Sequence, residues 1–258
     1  MCKIYQPLGR ARKYSPLALN YFKGCTHGCI YCYVPRMLTR WNPGYDHSKV
    51  TADIDWNELR NSAAKYWDCD KQILLSFTGD PYCDFDPSVT RQVLRILNDY
   101  GHKVAILTKG GMRCLRDLDM FRLYGDRIKV GATLTFDNDR DSMEWEPGAA
   151  SPSERIEALR TLAEAGIRTW VSFEPVIVPE QSLHLLEQVA PFIDHVKIGK
   201  VNQFRDYDRR IDWQAFIRDA VAICREKAVP FYIKEDLRRY NSTVPLTSEE
   251  CDPDHLNL

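Results

Sequence analysis

Apolar residues along the chain alternate between two spacings. Short, mostly apolar runs recur as LALNYFKG at 17–24, QILLSF at 72–77, KVAILT at 103–108, RIKVGATLT at 127–135, RTWVSF at 168–173, DHVKIG at 194–199 and VPFYI at 229–233, and each reads as a strand. Helical patterns lie between them, at 53–67, 87–101, 113–121, 151–167, near 180–190 and at 211–226. Within 87–101, Val89, Val93, Ile96 and Leu97 fall on one stripe and Gly101 stops it. Ser151, Pro152 and Glu154 have the spacing of a capping box with proline in the first turn, and Gly166 ends that helix.

Apolar strands separated by helices predict an α/β fold with a parallel sheet under a helical cover. The pattern gives six or seven βα units in one domain over 1–258, with an N-terminal extension at 1–16 and a tail at 235–258 flanking it. An open doubly wound sheet and a partial or full βα barrel satisfy this pattern equally. In either, ligands bind beyond the C-terminal ends of the strands, which directs the search for chemistry.

Composition narrows the class. The chain has 258 residues, 44% of them hydrophobic and 28% charged, enough for one large core and unlike a collagenous, coiled-coil or disordered chain. With 35 basic against 36 acidic residues and a net charge of −1, a broad polycationic face for duplex DNA is not expected, although a local basic cleft is compatible. The first sixteen residues carry no apolar stretch of the kind a secretory signal needs, and no run approaches a membrane span. Nine cysteines, an odd number, point to a reducing, cytoplasmic setting and not to a disulfide framework.

Three of those cysteines crowd together. GCTHGCIYCY places Cys25, Cys29 and Cys32 in a C-x₃-C-x₂-C pattern directly after the first strand. Three thiolates are one short of a complete all-cysteine 4Fe–4S site, which leaves one iron open to something else. His27, between the first two thiols, suits a supporting role better than ligation. A zinc knuckle completed by a distant fourth ligand is the competing reading of the spacing.

On these residues the chain resembles the radical S-adenosylmethionine (SAM) superfamily, and within it the spore photoproduct lyase-like branch. NYFKGCTHGCIYCYVPRM, FTGDPYCDFD, ILTKG, TLTFDND and EPGAASPSERIEALRTLAEAGI all look like segments of that branch. The resemblance implies a partial TIM-like (β/α)₆ barrel, with room for an additional C-terminal strand. It implies a 4Fe–4S cluster on Cys25, Cys29 and Cys32, with SAM chelated to the open iron. Reductive cleavage of SAM would give methionine and a 5′-deoxyadenosyl radical that abstracts hydrogen from a substrate. Tyr31 would approach the adenine, Thr78, Gly79 and Asp80 the methionyl amine, and Lys109 the carboxylate. Thr133 and Thr135 share a face by strand alternation and would meet the ribose. Glu174, closing its strand, is a further candidate, while Lys197, Lys200, Asn202 and Lys234 line the rim without an assigned role.

One position departs from the branch. Where those lyases carry a hydrogen-donating cysteine this chain has Phe77, which has no labile hydrogen. Cys83 and Tyr82 are the nearby candidates for donor or relay, Cys83 also reading as a small buried hydrophobe. The implied partners are an electron donor such as flavodoxin or ferredoxin and, as the favoured substrate class, a nucleic acid or nucleotide; a monomer is expected. The alternative is a non-catalytic iron–sulfur or zinc module that binds or senses without SAM chemistry.

Overall fold

The computed structural model describes residues 3–258; Met1 and Cys2, and with them the start of the N-terminal extension, lie outside the described residues. Its strands are β1 (Ile4–Tyr5), β2 (Leu17–Leu19), β3 (Phe22–Lys23), β4 (Thr51–Ala52), β5 (Ile73–Leu75), β6 (Val104–Thr108), β7 (Ile128–Thr133), β8 (Arg168–Val176), β9 (His195–Lys200) and β10 (Phe231–Ile233). Eight form one sheet in the order β1-β2-β5-β6-β7-β8-β9-β10, and β3 and β4 make a separate pair. β1 is antiparallel to β2, and every other neighbour in the large sheet is parallel.

The order decides between the two architectures the periodicity allowed. A doubly wound sheet must reverse its strand order so that helices fall on both faces. Here parallel strands follow one another in sequence, so right-handed crossovers put the helices that connect them on one face. The result is a mixed sheet of the partial-barrel kind. Its β10 end makes no ladder with β1 or β2 among the described residues, so closure into a full barrel is not seen.

Strand alternation sorts the side chains accordingly. Outward-facing Ile73, Leu75, Val104, Ile106, Ile128 and Val130 join Val93, Leu97, Phe121 and Leu162 of the helices in one core. Val171, Phe173, Val196, Ile198 and Ile233 join Leu185, Phe216 and Val221 in a second. Each such side chain contributes about 1.5–3 kcal/mol by leaving water. The helix expected at 151–167 spans Pro152–Glu164 with both halves of its capping box formed, and that at 87–101 spans Pro87–Asp99 behind an Asp86 cap. The helix expected from 53 begins at Trp56, because Asp55 accepts from the amides of Asn57 and Glu58.

Three expectations change. The strand at 17–24 breaks: the Asn20 side chain accepts from Phe77 N at 2.7 Å and donates to Tyr5 Oη at 2.9 Å, and β3 turns off to pair with β4. The stretch at 113–121 is a 3₁₀ helix, Gly111–Asp117, followed by an α-helix, Leu118–Tyr124. The acidic loop after β7 folds into a helix, Asp139–Trp145, capped by Asn138.

Residues 12–14 and 253–257 fill the inner face of the sheet from below. Lys197 Nζ donates to the carbonyls of Lys13, Tyr14 and Pro253 at 3.0–3.1 Å. Lys129 Nζ donates to the Leu256 carbonyl, Gln72 donates to Asn257 at 2.8 Å, and Arg12 grips Asp254 through two bonds of 2.7 and 2.6 Å. The opposite edge, at the C-terminal strand ends, carries the cysteines.

Candidate active site

The cysteine loop runs from β3 into a short helix, Tyr33–Leu38, and four hydrogen bonds from three segments hold it. Cys25 N donates to His47 O at 2.8 Å, Gly148 N to His27 O at 2.9 Å and Ile30 N to Trp145 O at 2.9 Å, while Asp84 N donates to Thr26 Oγ1 at 2.9 Å. A Cβ on Gly148 would lie 2.1 Å from Thr26 O, so this crossing of two backbones requires glycine.

The three thiols are partly buried and stand close enough to feel one another. Burial pushes the Cys29 thiol up to about 12, with Lys109 pulling it back and Cys25 and Cys32 adding to the rise. Burial likewise raises Cys32, again opposed by Lys109. Cys25 is raised first by its hydrogen bond with the Cys83 thiol and then by burial. His47 Nε2 stands 3.8 Å from Cys32 Sγ, and its Nδ1 meets Tyr45 Oη at 2.9 Å. Among the described residues no three His, Cys, Asp or Glu side chains converge closely enough to hold a metal ion as they stand. The donor set nevertheless fits an iron–sulfur cluster: three mutually coupled soft sulfur donors, a cation beside them, and burial that a bare thiolate cannot bear but a metal-bound one can.

Tyr31 and Lys109 flank this loop, with the Lys109 ammonium 5.4 Å from the Tyr31 ring centroid. The Tyr31 hydroxyl donates to Glu146 Oε1 and lies 3.3 Å from Thr135 Oγ1. Thr135 donates to the same Glu146 oxygen at 3.1 Å. Glu146 is fully buried and ion-paired with Arg155, equally buried, at 2.6 Å. Arg155 also donates to Thr133 O at 3.1 Å and to Ala150 O at 2.8 Å. Burial raises the Glu146 carboxyl, and Arg155 opposes the rise. The fold thus gathers Cys25, Cys29, Cys32, Tyr31, Lys109, Thr133 and Thr135 at one end of β3, β6 and β7.

The other sequence candidates are placed differently. Asp80 is a hub: Oδ1 accepts from Tyr82 N at 2.8 Å and Thr108 Oγ1 at 2.6 Å, and Oδ2 accepts from Lys109 N at 2.8 Å. His27 Nδ1 is 3.4 Å from the same carboxylate. Arg113 donates to His27 Nε2 at 3.1 Å, so the ring proton belongs on Nδ1, facing Asp80. Thr78 donates to Phe22 O at 2.8 Å. Gly79 lies against Gly24, where a Cβ would meet Gly24 O at 2.6 Å. These three residues set the entry to the cysteine loop.

Glu174 belongs to a second constellation, at the ends of β8 and β10. It accepts from Lys234 Nζ and from the Tyr14 hydroxyl, and Tyr14 Oη also lies 2.9 Å from Ser172 Oγ. Cys83 is buried, in contact with Cys25. Tyr82 is fully buried; its hydroxyl donates to Asp117 at 3.2 Å and its ring meets Phe121 edge-on, so its hydroxyl points into the helix-side packing.

Glu146 and Arg155 were missed by the sequence reading. A signal existed: Arg155 occupies the stripe completed by Ala158, Leu159 and Leu162, and a cation on an apolar stripe demands a buried partner.

Comparison with known proteins follows this geometry. A family model described as the radical SAM superfamily matches residues 19–193. An uncharacterized protein of Methanocaldococcus jannaschii is 30% identical over 161 residues, which are 62% of this chain and 60% of that protein. One of Acidianus two-tailed virus is 26% identical over 174 residues, 64% of this chain and 57% of its own. The match therefore spans no more than 60% of the length of these relatives. Among solved structures, a spore photoproduct lyase variant with bound AdoMet and dinucleoside spore photoproduct aligns with a TM-score of 0.68 at 13% identity, over 90% of this chain and 78% of that one. Streptococcus suis SuiB bound to S-adenosylmethionine aligns with a TM-score of 0.62 at 14% identity, over 89% and 53%. At these identities the structural likeness concerns the fold.

Proposed function

Because the chain belongs to the radical SAM superfamily, we propose that it is a SAM-cleaving enzyme whose partial (β/α)₆-like barrel forms a single catalytic domain over the whole chain. Cys25, Cys29 and Cys32 would hold a 4Fe–4S cluster. Bound there, the cluster supplies one electron to cleave SAM into methionine and a 5′-deoxyadenosyl radical that takes hydrogen from the substrate. The observation that carries this reading is the placement of Lys109, which acts electrostatically on both Cys29 and Cys32 while lying over Tyr31.

In that placement the Lys109 ammonium pairs with the carboxylate of SAM, and the Tyr31 ring, held by Glu146 and Thr135, forms a wall against the adenine. Thr133 and Thr135 border the ribose. Thr78, Gly79 and Asp80 shape the wall at the amine end, Asp80 by fixing Thr108, Lys109 and His27. Arg155 neutralises Glu146, so that Tyr31 keeps one orientation. Glu174, paired with Lys234, faces substrate. Cys83, against Cys25, is the remaining candidate for returning hydrogen, and Tyr82 serves packing. The reaction needs a one-electron donor such as a flavodoxin or ferredoxin and fits a reducing cytoplasm. Among the described residues no helix is long and apolar enough to cross a membrane.

The test is anaerobic reconstitution with iron and sulfide, reduction with dithionite in the presence of SAM, and chromatography for 5′-deoxyadenosine. Wild-type protein is expected to produce it, and Cys32→Ala to lose at least about 100-fold, since the metal site loses a ligand. A fully loaded, reducible cluster that yields none would overturn the reading in favour of a binding or sensing module, as would zinc without iron or sulfide.

A further inference from the structure

The segment after β5 runs beside the cysteine loop and meets it residue by residue. Thr78 donates to Phe22 O at 2.8 Å, Gly79 lies so close to Gly24 that a Cβ would meet Gly24 O at 2.6 Å, and Asp84 N donates to Thr26 Oγ1 at 2.9 Å. Cys83, one residue before Asp84, is thereby set against Cys25, one residue before Thr26. Its backbone is fixed by a turn, in which Cys83 N donates to Asp80 O at 3.2 Å and Tyr82 N to Asp80 Oδ1 at 2.8 Å. The side chain is buried.

What the Cys83 sulfur touches gives its hydrogen a direction. The sulfur accepts from the Thr26 amide and shares a hydrogen bond with Cys25. The amide occupies a lone pair, which leaves the thiol hydrogen for Cys25. Without metal, either thiol can supply the hydrogen between the two sulfurs. A Cys25 bound to iron has given up its proton, and the hydrogen that remains is the one on Cys83. His27 also hydrogen-bonds Cys25, so this sulfur lies between two polar neighbours. The other two thiols are surrounded differently: Cys32 takes the Val34 amide, and Cys29 is set by burial and by the charges of Lys109 and Glu146. A hydrogen bond to a ligand sulfur draws negative charge off the metal centre and favours its reduced form. Burial strengthens an S–H donor that would count for little in water.

We propose that Cys83 is a positioning residue that acts through Cys25: its S–H donates to the ligand sulfur and holds the cluster at a higher reduction potential, within easier reach of the one-electron donor. One electron enters the cluster from that donor, and no bond breaks at Cys83, whose hydrogen stays on its own sulfur. The inference rests on the reading of Cys25 as a cluster ligand. It gives Cys83 a task that needs no substrate and that an apolar side chain in the same place could not perform.

The test is a potentiometric titration of the reconstituted protein without SAM, followed by electron paramagnetic resonance of the reduced cluster. Cys83→Ala and Cys83→Val, one side chain smaller than the thiol and one larger, should both lower the potential by at least about 28 mV, a threefold change in the one-electron equilibrium at 59 mV per tenfold. A shift shared by opposite changes of volume is not a packing effect, and either variant serves should the other fail to fold. Cys83→Ser, which keeps a donor, should restore most of the loss. Cys224→Ala, which removes a buried thiol from the second core, should titrate as wild type does. The proposal is overturned by a folded alanine or valine variant at or above the wild-type potential, by serine displaced as far as valine, or by an equal shift in the control. A folded variant that loads less iron than wild type would make Cys83 a ligand and overturn it too. The two readings fail separately. Wild type that assembles no iron–sulfur cluster removes the cluster reading and this inference with it, whereas a cluster whose potential ignores Cys83 removes this inference alone. A cluster tuned by Cys83 that yields no 5′-deoxyadenosine removes the SAM cleavage and leaves the tuning in place.

Discussion

Lysines stand at both ends of the sheet, and the two ends use them differently. At the lower end Lys129 and Lys197 are buried and donate to main-chain carbonyls of Lys13, Tyr14 and the C-terminal segment. Lys197 spends three donors this way and Lys129 one, and what they do is fasten the tail to the inner face. At the upper end Lys109 lies partly exposed against the Tyr31 ring, with no carboxylate or carbonyl for its ammonium among the described residues. A cation bonded to main-chain carbonyls is scaffold, whereas a partly exposed cation with a free hydrogen-bonding face is a place for an anionic group to enter. Residue type does not separate these roles; the partners do.

The comparison can be broken in three ways. The largest effect is expected where the upper end itself acts as scaffold. Arg155→Leu leaves Glu146 buried without its ion-pair partner and should lower stability by about 3–5 kcal/mol in urea unfolding; a loss under about 1 kcal/mol would mean that the pair does not brace Tyr31. Next is Lys109→Gln, which should raise the KM for SAM about ten- to hundredfold while moving unfolding stability by no more than about 0.5 kcal/mol. The reverse outcome, lost stability at an unchanged KM, would put Lys109 with the lower lysines.

The smallest effect concerns Lys197. Burial, reinforced by the Lys234 charge, lowers its ammonium from 10.5 to about 7. Between those values the unfolded chain holds the extra proton, so stability rises with pH. The gain should approach about 1.4 kcal/mol per pH unit from pH 7 to 9. Urea unfolding of wild type and Lys197→Met at pH 7, 8 and 9 should show the slope in the first and its loss in the second. Equal slopes would mean that Lys197 keeps one protonation state throughout, and the contrast between the two ends would then rest on hydrogen bonding alone.

Much of this molecule is readable in one dimension. The strand runs from 72 onward, the capped helix behind Ser151 and the cysteine spacing are all local patterns, set by residues within one or two turns of each other. Because strands in such a fold point the same way, sequence position just past a strand also maps onto one edge of the sheet. Lys109 and Glu174 therefore stand out as strand-end residues before any coordinates. Short elements escape that logic: β1, of two residues, and the helix Glu235–Arg238 are too brief to show a period.

What tertiary structure decided is who meets whom. The resemblance assigns Asp80 to the methionyl amine, and the β5–β6 register adds what no local pattern shows, that its oxygens accept from the Thr108 hydroxyl and the Lys109 amide. Glu174 stood out only as a strand-end carboxylate, and the neighbouring strand ends supply its partners, Lys234 and Tyr14. Glu146 and Arg155 became a buried pair only when the helix Pro152–Glu164 closed on β7. The alternation of apolar and polar residues selects strands and helices because it is written in adjacent positions. The partners of a buried charge lie beyond the next turn, nine residues on for Glu146 and Arg155 and sixty for Glu174 and Lys234, and only the register of the sheet and the docking of the helices bring them within hydrogen-bonding distance.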